Sequence, residues 1–284
     1  MSNDTKISVL LPTRGRHEVM TKSVLDLCSK ANHPRRLEIL LGIDEDDEGI
    51  QEYVKEHLAQ PLQDMGVECR ASIFQPLGYS RLHDYVNTLA AYSTGDWLFF
   101  WNDDGIMVTQ GWDDVITQHD GEFKLLAPHD NHNGHPYAIF PIVPRDWFIL
   151  MGHLSMNAQN DAWLSHLAYM LDIFERIDVE FLHDRADITG NNDDETFRNR
   201  EYKEGNPDDP EDFGHPEQQK RRVQSAHKLA WFLDRIGQRS EWWERVKRGE
   251  QDPFEKMVWQ PGVKGAGQLD SVTPTSDEDV TLTL

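Results

Sequence analysis

The sequence predicts an α/β fold in which a mostly parallel central sheet is flanked by helices, with a helical extension at the C-terminal end. Apolar runs of strand length alternate with helix-like patterns over the first 105 residues, and each run ends in polar residues. The run at 97–101 is wholly apolar and aromatic, which is typical of a strand buried on both faces of a sheet. This strand–helix alternation indicates a Rossmann-like parallel sheet.

The individual elements follow from the spacing of the apolar residues. Short continuous apolar runs indicate buried strands, whereas apolar residues three and four positions apart indicate helices. Strands are expected at 7–11, 37–43, 68–74, 97–101, 124–128, 138–143 and 178–183. Helices are expected at about 18–30, 49–58, 78–92, 111–119 and 144–151, from about 161, and once or twice within 218–247.

The composition argues against two classes of protein. The chain has 284 residues, of which 38% are hydrophobic, so it can bury a sizeable core. Its formal net charge is −22, whereas general nucleic-acid binders and membrane-surface binders are more often basic. The bulk charge therefore favours neither of these two roles.

The cysteines and the apolar runs bear on the expected location. Cys28 and Cys69 are too few for a disulfide framework and indicate a reducing compartment. The N-terminus lacks the basic and apolar regions of a signal peptide. No apolar run approaches the roughly 20 residues that a membrane-spanning helix needs. We therefore expect a cytoplasmic protein without a transmembrane segment.

Polar side chains follow the first two predicted strands. Thr13, Arg14 and Arg16 come after the first strand, where guanidinium groups suit a phosphate or stack on a nucleobase. Asp44 ends the second strand, where a carboxylate accepts hydrogen bonds from a ribose hydroxyl or a base N–H. The alternatives are solvated arginines and an acidic first turn for the next helix.

A basic residue lies near the start of the predicted helix at 78–92. Arg81 falls where a cation opposes the helix dipole, which makes it a candidate anion ligand. Ser80 precedes it and belongs to the same candidate site.

The central strand ends in an amide and two carboxylates, Asn102, Asp103 and Asp104. Ligands of open α/β sheets bind outside the carboxyl ends of the strands. Carboxylate oxygens there suit Mg²⁺ or Mn²⁺, which usually also hold substrate phosphates. The pattern therefore indicates a metal–diphosphate site, and a polar turn after a core strand is the alternative.

The first 105 residues resemble a family 2 glycosyltransferase of the GT-A fold. The residues that carry the resemblance are Leu11-Pro12-Thr13-Arg14, Asp44, Arg81, and Thr94-Gly95-Asp96 leading into Asn102-Asp103-Asp104. The last triplet matches the family's Asp-X-Asp metal motif, with Asn102 in place of the first aspartate.

The resemblance implies roles for further residues. Asp104, with Asn102 and His183, would hold Mn²⁺ or Mg²⁺, and Asp103 would join the nucleotide-sugar site. His183 ends the last predicted strand and matches the late histidine of several GT-A enzymes, although a capping or solvated histidine is the alternative. Asp161 matches the family's catalytic base, and its alternative role is an N-cap.

The resemblance also organises the chain. Residues 1–185 would form the glycosyltransferase domain, with a nucleotide-binding part at about 1–105 and an acceptor part at about 106–185. An acidic, mobile loop at 186–217 would be followed by C-terminal helices at 218–261 and a flexible tail at 262–284. The C-terminal helices offer a surface for a homo-oligomer.

The implied activity is the transfer of a sugar from a nucleotide-diphosphate sugar to an acceptor hydroxyl, with inversion. The acceptor class stays open between a glycan, a protein side chain and a modified nucleobase. Two alternatives remain: a nucleotidylyltransferase, and an inactive nucleotide-sugar-binding protein, which Asn102 in the metal motif suggests.

Overall fold

The structure is a computed structural model that describes residues 5–131, 136–191 and 209–252. The predicted tail at 262–284 and most of the predicted acidic loop at 186–217 lie outside these residues. The proposed division into domain, loop and C-terminal helices therefore stays a prediction.

The described strands form one sheet of eight strands in the order β3-β2-β1-β4-β7-β6-β8-β5. Strands β3, β2, β1 and β4 are all parallel, while β7 runs antiparallel to both β4 and β6. Strand β8 is parallel to β6, and β5 is antiparallel to β8. The strands are β1 (Ile7–Thr13), β2 (Leu37–Asp44), β3 (Glu68–Phe74), β4 (Trp97–Phe100), β5 (Gly105–Met107), β6 (Leu125–His129), β7 (Ile142–Pro144) and β8 (Phe174–His183).

Helices cover both faces of the sheet. They are α1 (His17–Ser29), α2 (Ile50–Val54), α3 (Gln60–Met65), α4 (Leu82–Tyr92), α5 (Trp112–Thr117), α6 (Asp146–Met151), α7 (Asn160–Leu171), α8 (Ala186–Thr189), α9 (Pro216–Arg235) and α10 (Glu241–Lys247). A π-helical turn at Lys55–Ala59 joins α2 to α3, and single 3-10 turns lie at Pro34–Arg36 and Tyr79–Arg81.

The apolar strands are buried on both faces because successive side chains point to opposite sides of a sheet. Leu10 and Phe100 pack in a core with α4, α7 and α9, whereas Val9 and Phe99 pack in a second core with α1 and α2. Burying one such side chain is worth about 1.5–3 kcal/mol. A run that is apolar at every position is therefore stable only between two helical layers, as the sequence predicts.

The elements expected from the sequence differ from the structure in several places. The helix expected at 49–58 continues to Met65, because the π-helical turn carries the chain past Val54 without a break. The strand expected at 138–143 is reduced to Ile142–Pro144. No pattern in the sequence predicts β5, which has three residues and is defined by its pairing with β8.

The C-terminal helices pack on the main core. Leu229 and Leu233 of α9 and Trp243 of α10 are buried in the same core as α7. In addition, Ser240 caps α10 and donates from its Oγ to Asp172 Oδ2 at 2.8 Å, at the end of α7. Among the described helices, none is both long enough and apolar enough to cross a bilayer.

Candidate active site

One cavity of about 820 Å³ opens at the carboxyl edge of strands β1, β2 and β4. Its walls also include the start of α7 and the end of β8. Of the candidate residues identified from the sequence, those lining this cavity are Thr13, Arg14, Arg16, Asp44, Asn102, Asp103, Asp104, Asp161 and His183. Residues separated by up to 170 positions are thus brought to one cavity by the sheet topology.

Ser80 and Arg81 do not belong to the set of residues that line the cavity. Their neighbours Gly78, Tyr79 and Leu82 line it instead. Arg81 is the N-cap residue of α4 rather than part of its first turn, and its exposed guanidinium pairs with Asp84 at 2.5 Å. The expectation that Arg81 holds an anion therefore has no support in this geometry.

The end of β2 forms a tightly paired cluster, which we call the Asp44 cluster and define as Arg14, Asp44, Asp46 and Tyr85. Arg14 donates from Nη1 to Asp44 Oδ2 at 2.7 Å and reaches both carboxylate oxygens of Asp46, at 2.5 and 3.0 Å. The Tyr85 hydroxyl donates to the other oxygen of Asp44. Both oxygens of this buried carboxylate are therefore engaged by protein groups.

The electrostatics of the Asp44 cluster follow from these contacts. The hydrogen bonds to Asp46 and Asp44 raise the pKa of Arg14 above its already high ordinary value. Burial, together with the hydrogen bond to Asp44, raises the pKa of Tyr85 to about 12. Arg14 therefore stays charged and the Tyr85 phenol stays protonated over the ordinary pH range.

Asp46 and Asp47 follow Asp44 in the sequence and also line the cavity. Asp47 accepts from the backbone N–H of Gly15 at 2.8 Å and lies 2.9 Å from the His17 ring. These two carboxylates hold the loop after β1 against the end of β2. Sequence spacing could not reveal this role, because it depends on how the two loops meet across parallel strands.

The loop after β4 is held rigidly against α1 and β8. Ser23 Oγ donates to the carbonyl of Gly105 at 2.6 Å and accepts from Trp101 Nε1 at 2.8 Å. A Cβ atom on Gly105 would lie 2.7 Å from the Trp101 ring and 2.8 Å from the Phe140 ring, so only glycine fits there. The register between β5 and β8 sets Gly105 opposite His183.

Asp103, Asp104, Arg16, Thr13 and His183 form a second cluster, which we call the Asp104 cluster. Arg16 Nη1 bridges the two carboxylates, at 3.0 Å from Asp103 Oδ1 and 3.2 Å from Asp104 Oδ2. Thr13 Oγ1 donates to Asp103 Oδ2 at 3.0 Å. Arg16 is 8% exposed and its guanidinium forms an interior ion pair, so its role as a phosphate ligand stays a prediction.

The two carboxylates of the Asp104 cluster differ in their proton affinity. Burial and the neighbouring charge of Asp104 raise the pKa of Asp103 to about 6, although Arg16 and Thr13 oppose that shift. Burial also acts to raise the pKa of Asp104, but the contacts with His183 and Arg16 outweigh it and lower that pKa. Asp103 therefore takes up a proton first as the pH falls below neutral, while Asp104 stays ionised.

Asp104 and His183 fit a divalent cation. Asp104 Oδ1 and His183 Nε2 lie 3.1 Å apart, and two adjacent ligands of an octahedral ion with bonds of about 2.1 Å would be about 3.0 Å apart. The buried Oδ1 makes no hydrogen bond of good geometry within the described part of the chain. Asn102 is exposed beside them and lines the cavity, so its role as a third ligand stays a prediction.

A different group of three possible ligands, His119, Glu122 and Glu175, occurs away from this cavity. There the Lys124 ammonium lies 2.8 Å from Glu122 and 2.5 Å from Glu175. The lysine already neutralises these carboxylates, so that group is an ion-pair network.

Asp161 lies at the beginning of α7. The N-cap residue of α7 is Gln159, and Asp161 follows as the second helical residue, so Asp161 is not the N-cap. Burial raises the pKa of Asp161, while backbone N–H groups and the charges of His183 and Arg185 act in the opposite direction. A carboxylate with a raised pKa at the wall of a cavity is suited to accept a proton.

The cavity as a whole is acidic. Its charged walls consist of three arginines, one histidine and six aspartates, the last being Asp44, Asp46, Asp47, Asp103, Asp104 and Asp161. An anionic ligand such as a diphosphate would be repelled unless a cation entered with it. Sequence reasoning missed Tyr85, Asn160 and Arg185 among the lining residues, because they carry no motif and become neighbours only through tertiary packing.

No protein-family model matches the chain, and no curated protein matches it. Among solved structures, it is similar to the mannosyltransferase PcManGT from Pyrobaculum calidifontis in complex with GDP-Man and Mn²⁺. That match has a TM-score of 0.54 and 10% identity over 88% of this chain and 70% of the other. It is also similar to S. aureus TarS 1-349 in complex with UDP-GlcNAc, with a TM-score of 0.57 and 15% identity over 81% of this chain and 72% of the other.

Both of these proteins are glycosyltransferases. The chain therefore has the GT-A glycosyltransferase fold, which confirms the fold class expected from the sequence.

Proposed function

We propose that this chain is a metal-dependent glycosyltransferase that moves a sugar from a nucleotide-diphosphate sugar to an acceptor hydroxyl with inversion. The observation that carries the proposal is the meeting of Asp104, His183 and Asp161 in one acidic cavity. The two similar glycosyltransferases, one with GDP-Man and Mn²⁺ and one with UDP-GlcNAc, support the same conclusion.

The Asp44 cluster would bind the nucleotide. Its fixed guanidinium and carboxylates present hydrogen-bonding edges to a base and a ribose at the carboxyl edge of the sheet, where ligands of such sheets bind. Thr13 and Arg16 would act indirectly, since both hold Asp103.

Asp104 and His183, with Asn102 beside them, would hold Mn²⁺ or Mg²⁺. Such an ion supplies positive charge that offsets the charge developing on the leaving nucleoside diphosphate. Arg16 would keep Asp104 Oδ2 engaged, so that Oδ1 is the oxygen directed to the ion.

Asp161 would act as the general base. Its carboxylate takes the proton from the acceptor hydroxyl while that oxygen attacks the anomeric carbon and the bond from this carbon to the diphosphate breaks. A base on the face opposite the leaving group gives inversion. The raised pKa of Asp161 supports this role, because proton transfer is most effective when the base has a pKa near the working pH.

The test begins with binding and continues to products. Thermal unfolding is measured with UDP- and GDP-sugars, each with Mn²⁺ and with a chelator. We expect a metal-dependent rise for a donor, since a ligand at a hundredfold excess over its Kd adds about 2.7 kcal/mol of stability. Release of nucleoside diphosphate with loss of the sugar supports glycosyl transfer. Release of pyrophosphate would identify a nucleotidylyltransferase, and binding without any turnover would identify an inactive binder.

The location and the assembly remain part of this proposal. Cys28 and Cys69 are free thiols, which supports a reducing compartment such as the cytoplasm. A homo-oligomer through α9 and α10 stays a prediction, and sedimentation of the purified chain would test it.

A further inference from the structure

The side-chain amide of Asn157 is buried behind the wall of the cavity and joins two segments of the chain. Asn157 is 5% exposed and does not line the cavity, whereas the next four residues, Ala158 to Asp161, all do. Its Oδ1 accepts from the backbone N–H of Gln159 at 3.0 Å, and its Nδ2 donates to the carbonyl of Glu211 at 2.7 Å. One amide therefore connects the wall that carries the proposed base to the segment in front of α9.

The start of α7 is held from outside the helix. The first N–H groups of a helix have no acceptor within it, and a capping side chain commonly supplies one. The side chain of Gln159, the N-cap residue of α7, does not cap the helix within the described residues. Asn157 instead fixes this residue by accepting from its backbone N–H. Asp161 is the second residue of α7, so its place depends on where the helix begins.

The segment on the far side of the link is fixed to α9 by two buried side chains. Gln218 and Arg222 are 0% and 1% exposed. Gln218 Nε2 donates to the carbonyl of Pro210 at 3.0 Å, and Arg222 Nη1 donates to the carbonyl of Phe213 at 2.9 Å. The Glu211 carbonyl lies between these two anchored positions, so it is a fixed acceptor against which the start of α7 is placed.

The backbone that carries Asn157 is also held in place. Ser155 Oγ accepts from the N–H of Asn157 at 3.1 Å and donates to its carbonyl at 2.7 Å. Asn87 of α4 donates from Nδ2 to the carbonyl of Ser155 at 2.8 Å and accepts at Oδ1 from the N–H of Leu154 at 2.7 Å. The amide of Asn157 is therefore a rigid connection between segments that are themselves anchored.

We propose that Asn157 is a positioning residue, which sets Asp161 against the acceptor hydroxyl by joining the start of α7 to the segment 210–213. This inference rests on the proposed glycosyltransferase function and adds a residue on which the proton transfer depends. A general base must lie within about 2.6–3.2 Å of the atom whose proton it takes. A misplacement of about 1 Å can lower a rate by about 100-fold. Asn157 thus contributes to kcat without touching a substrate.

The first experiment uses two variants that remove different parts of the link. Asn157→Ala removes both hydrogen bonds, so kcat should fall about 100-fold. Asn157→Asp still accepts from the N–H of Gln159 but cannot donate to the carbonyl of Glu211 when ionised, so kcat should fall about tenfold or more. Turnover is measured as release of nucleoside diphosphate from UDP-glucose, UDP-GlcNAc or GDP-mannose with Mn²⁺. Calorimetry should show donor affinity within twofold of the unmodified chain.

The matched control breaks a contact at the opposite end of α7. Ser240 Oγ caps α10 and donates to Asp172 Oδ2, and it lies outside the set of residues that line the cavity. Ser240→Ala removes a buried polar contact between α7 and the C-terminal helices, as Asn157→Ala does. It should lower the melting temperature but leave kcat within twofold.

A double variant separates positioning from a general loss of structure. If Asn157 acts through Asp161, no base remains to be positioned in Asp161→Asn. Adding Asn157→Ala to Asp161→Asn should therefore change the residual turnover by no more than twofold, because residues that act as a unit have non-additive effects.

A further measurement does not depend on activity. The N–H of Trp163 donates to the carbonyl of Gln159 at 2.9 Å in the first turn of α7. Asn157→Ala should accelerate amide hydrogen exchange over residues 159–163 by about tenfold, whereas Ser240→Ala should leave exchange in this turn unchanged.

Four results would decide against the inference. They are an unchanged kcat in both Asn157 variants, an equal loss of kcat in Ser240→Ala, the same factor of loss with and without Asp161, and unchanged exchange at the start of α7. Near-normal turnover in Asp161→Asn alone would overturn the premise that Asp161 is the base. An unmodified chain that releases no nucleoside diphosphate from any of the three donors would instead overturn the proposed function itself.

Discussion

The Asp44 cluster and the Asp104 cluster lie at neighbouring strand ends, and they differ in how completely their polar atoms are paired. Both oxygens of Asp44 are engaged, one by Arg14 and the other by Tyr85. In contrast, Asp104 uses one oxygen for Arg16 and leaves Oδ1 beside His183 without a good hydrogen bond. The paired cluster is a preformed wall, and the incompletely paired one has the features of a site that its ligand completes.

Leaving a buried carboxylate oxygen incompletely paired costs free energy, and this cost is an argument for a ligand at the Asp104 cluster. A carboxylate inside a protein is tolerated when it is fully paired, and an unpaired buried acceptor is unfavourable. Asp104 Oδ1 has only the His183 ring beside it, at 3.1 Å from Nε2, and both residues line the cavity. The incompletely paired carboxylate therefore distinguishes the Asp104 cluster from the Asp44 cluster more sharply than the number of charges does.

The largest expected effect comes from Asp161→Asn, which directly tests the proposed role of Asp161 as the general base. Asparagine keeps the size of the side chain but cannot accept a proton, so transfer should fall about 10²–10⁴-fold. Since Gln159 is the N-cap of α7, the variant should melt close to the unmodified chain and bind donor and metal normally. Initial rates and calorimetry measure the two quantities. Near-normal transfer would remove Asp161 from the mechanism.

The next largest effect is a difference between the two clusters in how strongly their variants change metal-dependent binding. Asp104→Ala should weaken metal-dependent donor binding at least about 100-fold, because loss of a ligand exceeds the 10–100-fold loss typical of its outer partners. Asp44→Ala is the matched variant, and it should weaken nucleoside diphosphate binding equally with Mn²⁺ and with a chelator. Calorimetry under both conditions measures this. If the two variants respond alike to metal removal, the distinction between the clusters is wrong.

A smaller effect is expected for Arg16, which joins the two carboxylates. Arg16→Gln removes the charge that holds Asp103 and Asp104 together, so Mn²⁺ affinity should fall about tenfold. Arg16→Lys should retain affinity within about threefold, because one ammonium nitrogen can donate to both carboxylates. Paramagnetic resonance of free Mn²⁺ gives both values.

Two outcomes would revise this role for Arg16. Tighter Mn²⁺ binding in Arg16→Gln would show that charge repulsion by Arg16 outweighs its positioning effect. Weaker binding of nucleoside diphosphate in the presence of a chelator would return Arg16 to the role of phosphate ligand.

The smallest expected effect is a shift in the pH profile. The positive charge of Arg185 lowers the pKa of Asp161, so removing that charge in Arg185→Gln should raise this pKa further. The base must be ionised to act, and the acidic limb of kcat should therefore move to higher pH. Arg81→Ala, outside the cavity, serves as the control and should leave the limb in place. A shift to lower pH would contradict the assignment of Asp161 as the base.

The sequence by itself determined the α/β class, the succession of the first four strands along the chain and the polar residues at their carboxyl ends. It could do so because a strand buried on both faces must be apolar at every position, and because parallel strands bring their carboxyl ends to one edge. Thr13, Asp44, Asp103 and Asp104 follow directly from that rule. The resemblance to family 2 glycosyltransferases added Asp161 and His183 to the set.

Only the tertiary structure decided how these side chains are paired. Arg16 and Arg81 both lie near the start of a predicted helix, so the sequence does not distinguish them. In the structure Arg16 is enclosed between two aspartates, whereas Arg81 pairs with Asp84 at the surface. The short strand β5, which sets Gly105 opposite His183, has too few residues to carry a periodic signal. Asn160 likewise belongs to no motif. Pairing and depth depend on the relative placement of distant segments, and local sequence patterns contain no information about that placement.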